Sequence, residues 1–161
     1  MLGIMFGELR SNQVSVETRL DDNLPDVRGN QVQLQQVILN LIRNAIEAMN
    51  SVTDRARVLR IGTKIHVPDG VLVSVEDSGT GLSPKDIERI FDSFFTTKPQ
   101  GTGMGLSICR SIIEGHQGRL WASSGIDHGA IFNVLLPAVR PANGAKTSAT
   151  VGVINLISPL D

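Results

Sequence analysis

Two hydrophobic periods run along the chain. In "QVSVETRL" every second residue, Val14, Val16, Thr18 and Leu20, falls on one face, which predicts a strand. "DDNLPDVRGN" breaks the pattern and reads as a loop. The period then changes. Leu34, Val37, Ile38, Leu41, Ala45 and Met49 recur at helical spacing and predict a long helix over roughly 31–50. Asn30 followed by Gln33 reads as a capping box at its start. Residues 57–67 and 71–77 return to the strand period around "PDG". Ser83, Pro84 and Asp86 mark a further helix start. A loop over about 92–103 leads into a helix ending near Gly118, and "RLWASS" with "AIFNVLLP" reads as a closing hairpin. The stretch after Pro137 has loop composition, and "VINLIS" fits either a short strand or an adhesive apolar tail. The order is an alternation of α and β, without internal repeats.

Composition narrows the class. With 161 residues, 41% of them hydrophobic and 19% charged, the chain can bury one domain's core. A net charge of -1 argues against nucleic acid as a partner. The single Cys109 excludes an intrachain disulfide framework and fits a reducing compartment. No apolar run reaches spanning length and no cleavable leader is legible, so the expectation is a cytoplasmic domain without direct membrane contact.

Three clusters carry candidate chemistry. In "KPQGTGMGLSICRS" the glycines Gly101, Gly103 and Gly105 alternate with Thr102 and Met104 just before a helical pattern starting at about 104. Glycines admit an anion close to the backbone, and the first free N–H groups of a helix point at it. Thr102 and Ser107 add hydroxyls and Lys98 a mobile positive charge. A flexible loop ending in a helix cap is the simpler reading of the same residues. In "VLVSVEDSGTGL" Asp77 shares the face of Val71, Val73 and Val75, so it points inward, followed by Gly79 and Gly81. It either caps a turn or accepts a hydrogen bond from an exocyclic amine such as that of adenine. On the long helix Asn40, Asn44 and Glu47 form a polar stripe beside the apolar one. This is either a solvated face or a site where an amide oxygen ligates Mg²⁺ together with phosphate oxygens.

Taken together, "NLIRNA", "DSGTGL", "IFDSFFTTK" and "GTGMGLS" resemble the N, G1, F and G2 boxes of the catalytic ATP-binding domain of bacterial sensor histidine kinases. The resemblance runs from about residue 12 to Pro137 and looks closest to the nitrogen- and oxygen-sensing branch. It implies an α/β (α+β) two-layer sandwich, a mixed and mostly antiparallel sheet covered on one face by helices, shared with DNA gyrase, mismatch-repair ATPases and the ninety-kilodalton heat-shock chaperone. It divides the chain into a remnant of a first helix (1–12), the ATP-binding domain (13–138) and a tail (139–161). Carried over, Asp77 binds the adenine amine, Gly79 and Gly81 let the nucleotide approach, Asn44 holds Mg²⁺, and Asn40 lies beside metal and phosphates. Phe91, Phe94 and Phe95 match the aromatic box of a lid. Thr97, Lys98, Gly101, Thr102, Gly103, Met104, Gly105 and Leu106 belong to that lid and its hinge, and Arg43 joins Lys98 as a candidate phosphate contact. Asn40 and Lys98 are the expected catalytic residues, with ATP and Mg²⁺ as ligands.

The departures bear on activity. Relatives carry a phosphoacceptor histidine on a separate dimerisation hairpin, which also receives the response regulator. His66, His116 and His128 lie on a strand, near a helix end and in a hairpin loop, so none resembles it. The expectation is therefore a kinase domain that cannot autophosphorylate alone. "MLGIMFGELR" resembles only the back half of the family's first helix, so Ile4, Met5 and Phe6 are expected to be exposed and to have lost part of their packing. Ile131 stands where many relatives have a hydroxyl near adenine. Where the hydrolysing members of the fold place a glutamate, this chain has Asn40. Two alternatives keep the same fold, a nucleotide-binding module without phosphotransfer and a protein serine kinase of the anti-sigma type.

Overall fold

A computed structural model describes residues 2–68, 70–139 and 150–157. The apolar stripe of the long helix, α2 (Gln31–Met49), is the centre of the core. Leu34, Val37, Ile38, Leu41, Ile42, Ala45, Ile46 and Met49 are all buried along it. Its start is fixed by Asn30, whose side chain accepts the Gln33 N–H at 3.1 Å. The capping box forms only by half. The Asn30 N–H, which such a box gives to the Gln33 side chain, goes instead to His116 Nε2 at 3.0 Å. His116 Nδ1 then donates to the Ile112 carbonyl at 2.7 Å, so a neutral imidazole joins two helix ends.

The sheet under α2 contains β1 (Val14–Arg19), β3 (Arg57–His66), β4 (Gly70–Asp77), β5 (Arg119–Ser124) and β6 (Ala130–Pro137). Their order is β1-β3-β4-β6-β5, with β1 and β3 parallel and the other pairs antiparallel. This is the mixed, mostly antiparallel sheet expected. Period-two alternation sorts its two faces. Leu59 and Ile61 on β3, the three valines of β4, Leu120 on β5, and Phe132, Val134 and Leu136 on β6 face the helices and are buried. α4 (Gly105–Gly115) lies beside α2 on this side, its Cys109 and Ile113 buried. It ends three residues earlier than Gly118, because Gln117 turns into the left-handed region and the Gly118 N–H closes on the Ile113 carbonyl. On the other face Arg60 donates to Glu17 at 2.9 Å and Glu76 at 3.3 Å, an exposed ladder of little energetic weight.

Short elements complete the layer. α3 (Pro84–Arg89) begins at Ser83, whose Oγ accepts the Asp86 N–H at 3.1 Å. α1 (Leu2–Ser11) packs on β1, and its Met5 and Leu9 are buried. Met5 is therefore not exposed, contrary to the expectation; the side chains of Ile4 and Phe6 lie outside the described residues. Within the expected loop before α2, Val27–Arg28 forms β2 and pairs antiparallel with β7 (Thr150–Val151). "VINLIS" is neither the short strand nor a loose apolar end. Ile154–Ile157 forms one helical turn, α5, against α2, with Val153, Leu156 and Ile157 buried. The loop read after Pro137 falls mostly on residues 140–149, outside the described residues.

Val151, Val153, Leu156 and Ile157 of the tail are thus part of the core. Ile157→Ala is expected to cost about 2–4 kcal/mol, the range for truncating a fully buried aliphatic side chain. Urea denaturation checks this, and an unchanged midpoint would mean that the tail contributes nothing to the folded state.

Candidate functional site

Three elements converge on one cleft of about 530 Å³. α2 supplies a wall through Asn40, Asn44, Glu47 and Ala48, because its polar stripe turns away from the sheet. The end of β4 supplies Asp77, and Ala130 and Phe132 reach in from β6. The third wall is the segment between α3 and α4. Its neck is pinned where the Phe94 N–H donates to the Gly103 carbonyl at 2.9 Å, so residues 95–102 form a closed flap.

Asp77 is the unusual group. It is 2% exposed, while Ile90, Leu82 and Phe132 line the same cleft. Removal from water raises its pKa to about 6, against the lowering effect of N–H donors from Gly79 and Ala130 and of the Lys98 charge. The Gly79 N–H reaches Asp77 Oδ1 at 2.8 Å. Only glycine fits at position 79, since a Cβ there would stand 2.7 Å from both the Ala48 carbonyl oxygen and that carboxylate. The bound turn brings the C-terminal end of α2 against the Asp77 end of the cleft, with the Thr80 N–H on the Ala48 carbonyl at 3.3 Å.

The opposite end is built from amides and a cation. Gly105, the first residue of α4, abuts Asn40 so closely that a Cβ would lie 2.9 Å from its Nδ2. Asn40 Nδ2 donates to Cys109 Sγ at 3.1 Å, which directs its amide oxygen away from the thiol. Burial raises the Cys109 pKa and keeps it a neutral thiol. Among the described residues Asn44 Oδ1 meets only the Lys98 ammonium, at 3.5 Å, and Lys98 also pairs with Glu47. Residues 40 and 48 are separated by about 12 Å along the helix axis. The cleft is therefore graded, with the buried Asp77 carboxylate at one end, Asn40 and a helix start at the other, and Lys98 between Asn44 and Glu47. An oxygen ligand without a strong partner, beside a cation and a helix start, fits a divalent ion carried on phosphates.

Most of the expected residues meet here. Asn40, Asn44, Asp77, Gly81, Thr97, Lys98, Gly101, Thr102, Gly103, Gly105 and Leu106 line the cleft, with Arg43, Glu47 and Phe95. Several do not. Phe91 is a core residue, edge-on to Phe132 at 6.3 Å with Arg110 over its ring. Phe94 points outward, 74% exposed, because it sits at a left-handed φ of 68° at the flap's neck. Of the three phenylalanines only Phe95 reaches the cleft, under the Arg89 guanidinium. Met104 and Ser107 lie on the outer side of α4, where the Ser107 hydroxyl donates back to the Met104 carbonyl. Ile131 faces the open side of the sheet, paired with Glu76 and Ser123, so it lies away from Asp77. Ala130 and Phe132 take that place; the alternation of β6 against β4 was the signal for them.

A family model described as "Histidine kinase-, DNA gyrase B-, and HSP90-like ATPase" matches residues 29–140. The chain belongs to this family. It is 43% identical over 129 residues to the sensor protein FixL of Bradyrhizobium diazoefficiens, covering 80% of this chain and 25% of FixL. It is 40% identical over 135 residues to the sensor histidine kinase TmoS of Ectopseudomonas mendocina, covering 83% and 14%. The chain thus spans a quarter or less of these curated relatives. Among solved structures it is similar to the catalytic domain of the histidine kinase ThkA, with 33% identity, a TM-score of 0.72, and 86% of this chain and 90% of that one covered. ThkA in complex with the response regulator protein TrrA matches at 31% identity and a TM-score of 0.70, covering 86% and 38%. The chain is a catalytic domain of the histidine kinase type, and the mixed sheet under helices is the fold of that domain.

The raised pKa of Asp77 has a sign that can be checked. The folded state favours the protonated carboxyl, so this contribution to stability is complete below about pH 4 and lost as pH rises through about 6. Asp77→Asn keeps an acceptor for Gly79 and removes the buried charge. Relative to wild type it is expected to gain on the order of 2–3 kcal/mol between pH 4 and pH 8. Denaturation at the two pH values measures this; a constant difference would refute the burial argument.

Proposed function

We propose that this domain binds Mg·ATP and transfers the γ-phosphoryl group to a histidine on a dimerisation hairpin of the same kinase. The observation that carries the reading is the polarity of the cleft, which matches a nucleotide end to end. The adenine amine donates to Asp77, with the ring between Ile90, Leu82 and Phe132. Thr97, Gly101 and Thr102 border the nucleotide along the flap, Gly103 at its neck, Leu106 on α4 and Gly81 in the turn after β4, and Gly79 shapes that turn without touching it. The triphosphate lies toward Lys98, Asn40 and the first N–H groups of α4, with Arg43 at the mouth. Asn44 would hold Mg²⁺, which neutralises phosphate charge and orients the oxygens for in-line displacement.

In the transfer, a histidine ring nitrogen attacks the γ-phosphorus, the bond to the β-phosphate oxygen breaks, and ADP leaves. Lys98 stabilises the charge on the phosphate oxygens. To reach them it must give up Glu47, so nucleotide binding reorganises the flap. Asn40 holds ATP without activating water, because a neutral amide is no base near pH 7. The acceptor hairpin docks beside the cleft mouth, where Phe94, Met104 and Ile108 are exposed. A response regulator then takes the phosphoryl group from the hairpin, as the ThkA–TrrA pairing supports. Among the described residues no helix is long and apolar enough to cross a membrane, in keeping with a cytoplasmic placement.

Calorimetric titration tests the site. Asp77→Asn is expected to weaken ATP binding roughly tenfold to a hundredfold, because a charge-assisted bond is lost. Unchanged affinity would overturn the assignment of the adenine end. Incubated alone with labelled ATP, the chain is expected to release little phosphate and to acquire no label, and an added hairpin from a related kinase is the substrate that should become labelled. Turnover of about 1 per second or faster, abolished by Asn44→Ala, would move the protein to the ATPase branch. Label stable to acid on the acceptor would indicate a serine kinase, and tight binding without transfer a regulatory module.

A further inference from the structure

Arg55 precedes β3 and does not line the cleft, yet it grips the turn that does. Its Nε donates to the Ser78 carbonyl at 3.1 Å and one terminal nitrogen to the Gly79 carbonyl at 2.8 Å. The other terminal nitrogen is held by both carboxylate oxygens of Asp54, at 2.9 and 3.2 Å. The peptide bond is planar and trans, so a carbonyl and the next N–H point in opposite directions. Holding the Ser78 carbonyl therefore sets the direction of the Gly79 N–H, which bonds Asp77 Oδ1 at 2.8 Å. Holding the Gly79 carbonyl likewise sets the Thr80 N–H, which bonds the Ala48 carbonyl at the end of α2. Glycine is the residue whose flanking peptides rotate most freely, so this turn needs an external brace. The planar fork of arginine reaches two carbonyls at once, which an ammonium does not do with the same geometry.

We infer that Arg55 is a positioning residue of the nucleotide site: it locks the two peptides around Gly79 and so aims the Asp77 carboxylate at the base. The inference rests on the nucleotide reading of the cleft and adds to it a residue outside the binding boxes. It distinguishes Arg55 from a surface charge, since the pair with Asp54 alone, whose side chain is 75% exposed, has little energetic weight.

The test compares wild type with Arg55→Met, which keeps the apolar stem and removes the donors. ATP and ADP are titrated calorimetrically between pH 5 and pH 8, and a thermal melt reports folding. The charged groups around Asp77 are Glu76 on its own strand, Lys98 in the flap and Glu47 on α2, and all remain in the variant. The expected result is a folded protein with about tenfold weaker binding, by the same factor for ATP and ADP, because the defect lies at the base. Binding falls as Asp77 gains a proton. Loosening the Gly79 N–H removes a bond that holds the carboxyl's pKa down, so the midpoint of the pH curve should move upward. A merely structural residue would lower the melt without moving that midpoint. Unchanged affinity and midpoint in a folded Met variant overturn the proposal, as does a loss confined to ATP. If the Met variant does not fold, Arg55→Lys carries the test: it keeps charge and stem, and the same two changes are expected, with wild-type values again overturning the proposal. Absence of ATP binding by the wild-type chain overturns the nucleotide reading itself, which a failure of Arg55 alone leaves standing.

Discussion

Burial of one stripe of α2 against the sheet is the constraint on which the rest depends. Leu34, Val37, Leu41, Ile42 and Met49 are almost completely removed from water, and among the described residues no other element contributes as much to the core. A helix has 3.6 residues per turn, so fixing that stripe also fixes what the remaining faces present. Asn40, Asn44 and Glu47 are thereby held toward the flap, and their contacts with Cys109 and Lys98 only refine that placement. The end of the helix is fixed as well. Its Ala48 carbonyl receives the Thr80 N–H, and its Met49 sulfur lies 3.5 Å from the Ser78 hydroxyl. The turn carrying Asp77 is thus referenced to α2 from one side and to Arg55 from the other.

That double reference has an energetic reason. A carboxylate buried among Ile90, Leu82 and Phe132 is less stable there than in water, and its raised pKa measures the deficit. Two N–H donors offset part of it and leave capacity on the carboxylate for a ligand's donor. If the turn rotated, the deficit would grow and the spare capacity would point elsewhere. The cost of holding Asp77 in place is therefore borne by the scaffold before a ligand arrives, which is what preorganisation means for a binding site.

Much of this was legible in the residues because it follows from period and from short-range rules. Three valines at period two put Asp77 indoors, and the stripe of α2 with Asn30 as cap gave the helix within a residue. The glycines between "TTK" and "LSICRS" gave the flap, and its position over the cleft came with the family resemblance. What was not legible depends on tertiary choices. Phe91, Phe94 and Phe95 look alike in sequence, but one is core, one is forced outward by a left-handed backbone and one faces the cleft. Ile131 was misplaced by one residue, and in a strand one residue is the whole thickness of the sheet. The tail gave no helical period because a single turn is too short to have one, and its helix exists only because α2 offers it an apolar surface. Arg55 carries no motif. Its role depends on two carbonyls whose directions no side-chain pattern encodes.

On the proposed function, the same flap residues would serve two states. Without nucleotide, Lys98 would be a lone cation hanging over an amide-lined cleft. Glu47 neutralises it, and the pair draws the flap toward α2. Both partners are about two-fifths exposed, so the attraction is modest and screened by solvent. That modesty matters. A fully buried pair would resist separation by several kcal/mol, and phosphates would have to overcome it before Lys98 could move. An exposed pair yields to a triphosphate, whose charge is greater than that of a single carboxylate, while still holding the flap near its working position. Glu47 lies one turn beyond Asn44, so a lysine displaced toward the proposed phosphate end would have only that turn to cross. In the proposed reading, the flap would pass from a self-paired lysine to one committed to the nucleotide by exchanging a single salt-bridge partner of Lys98.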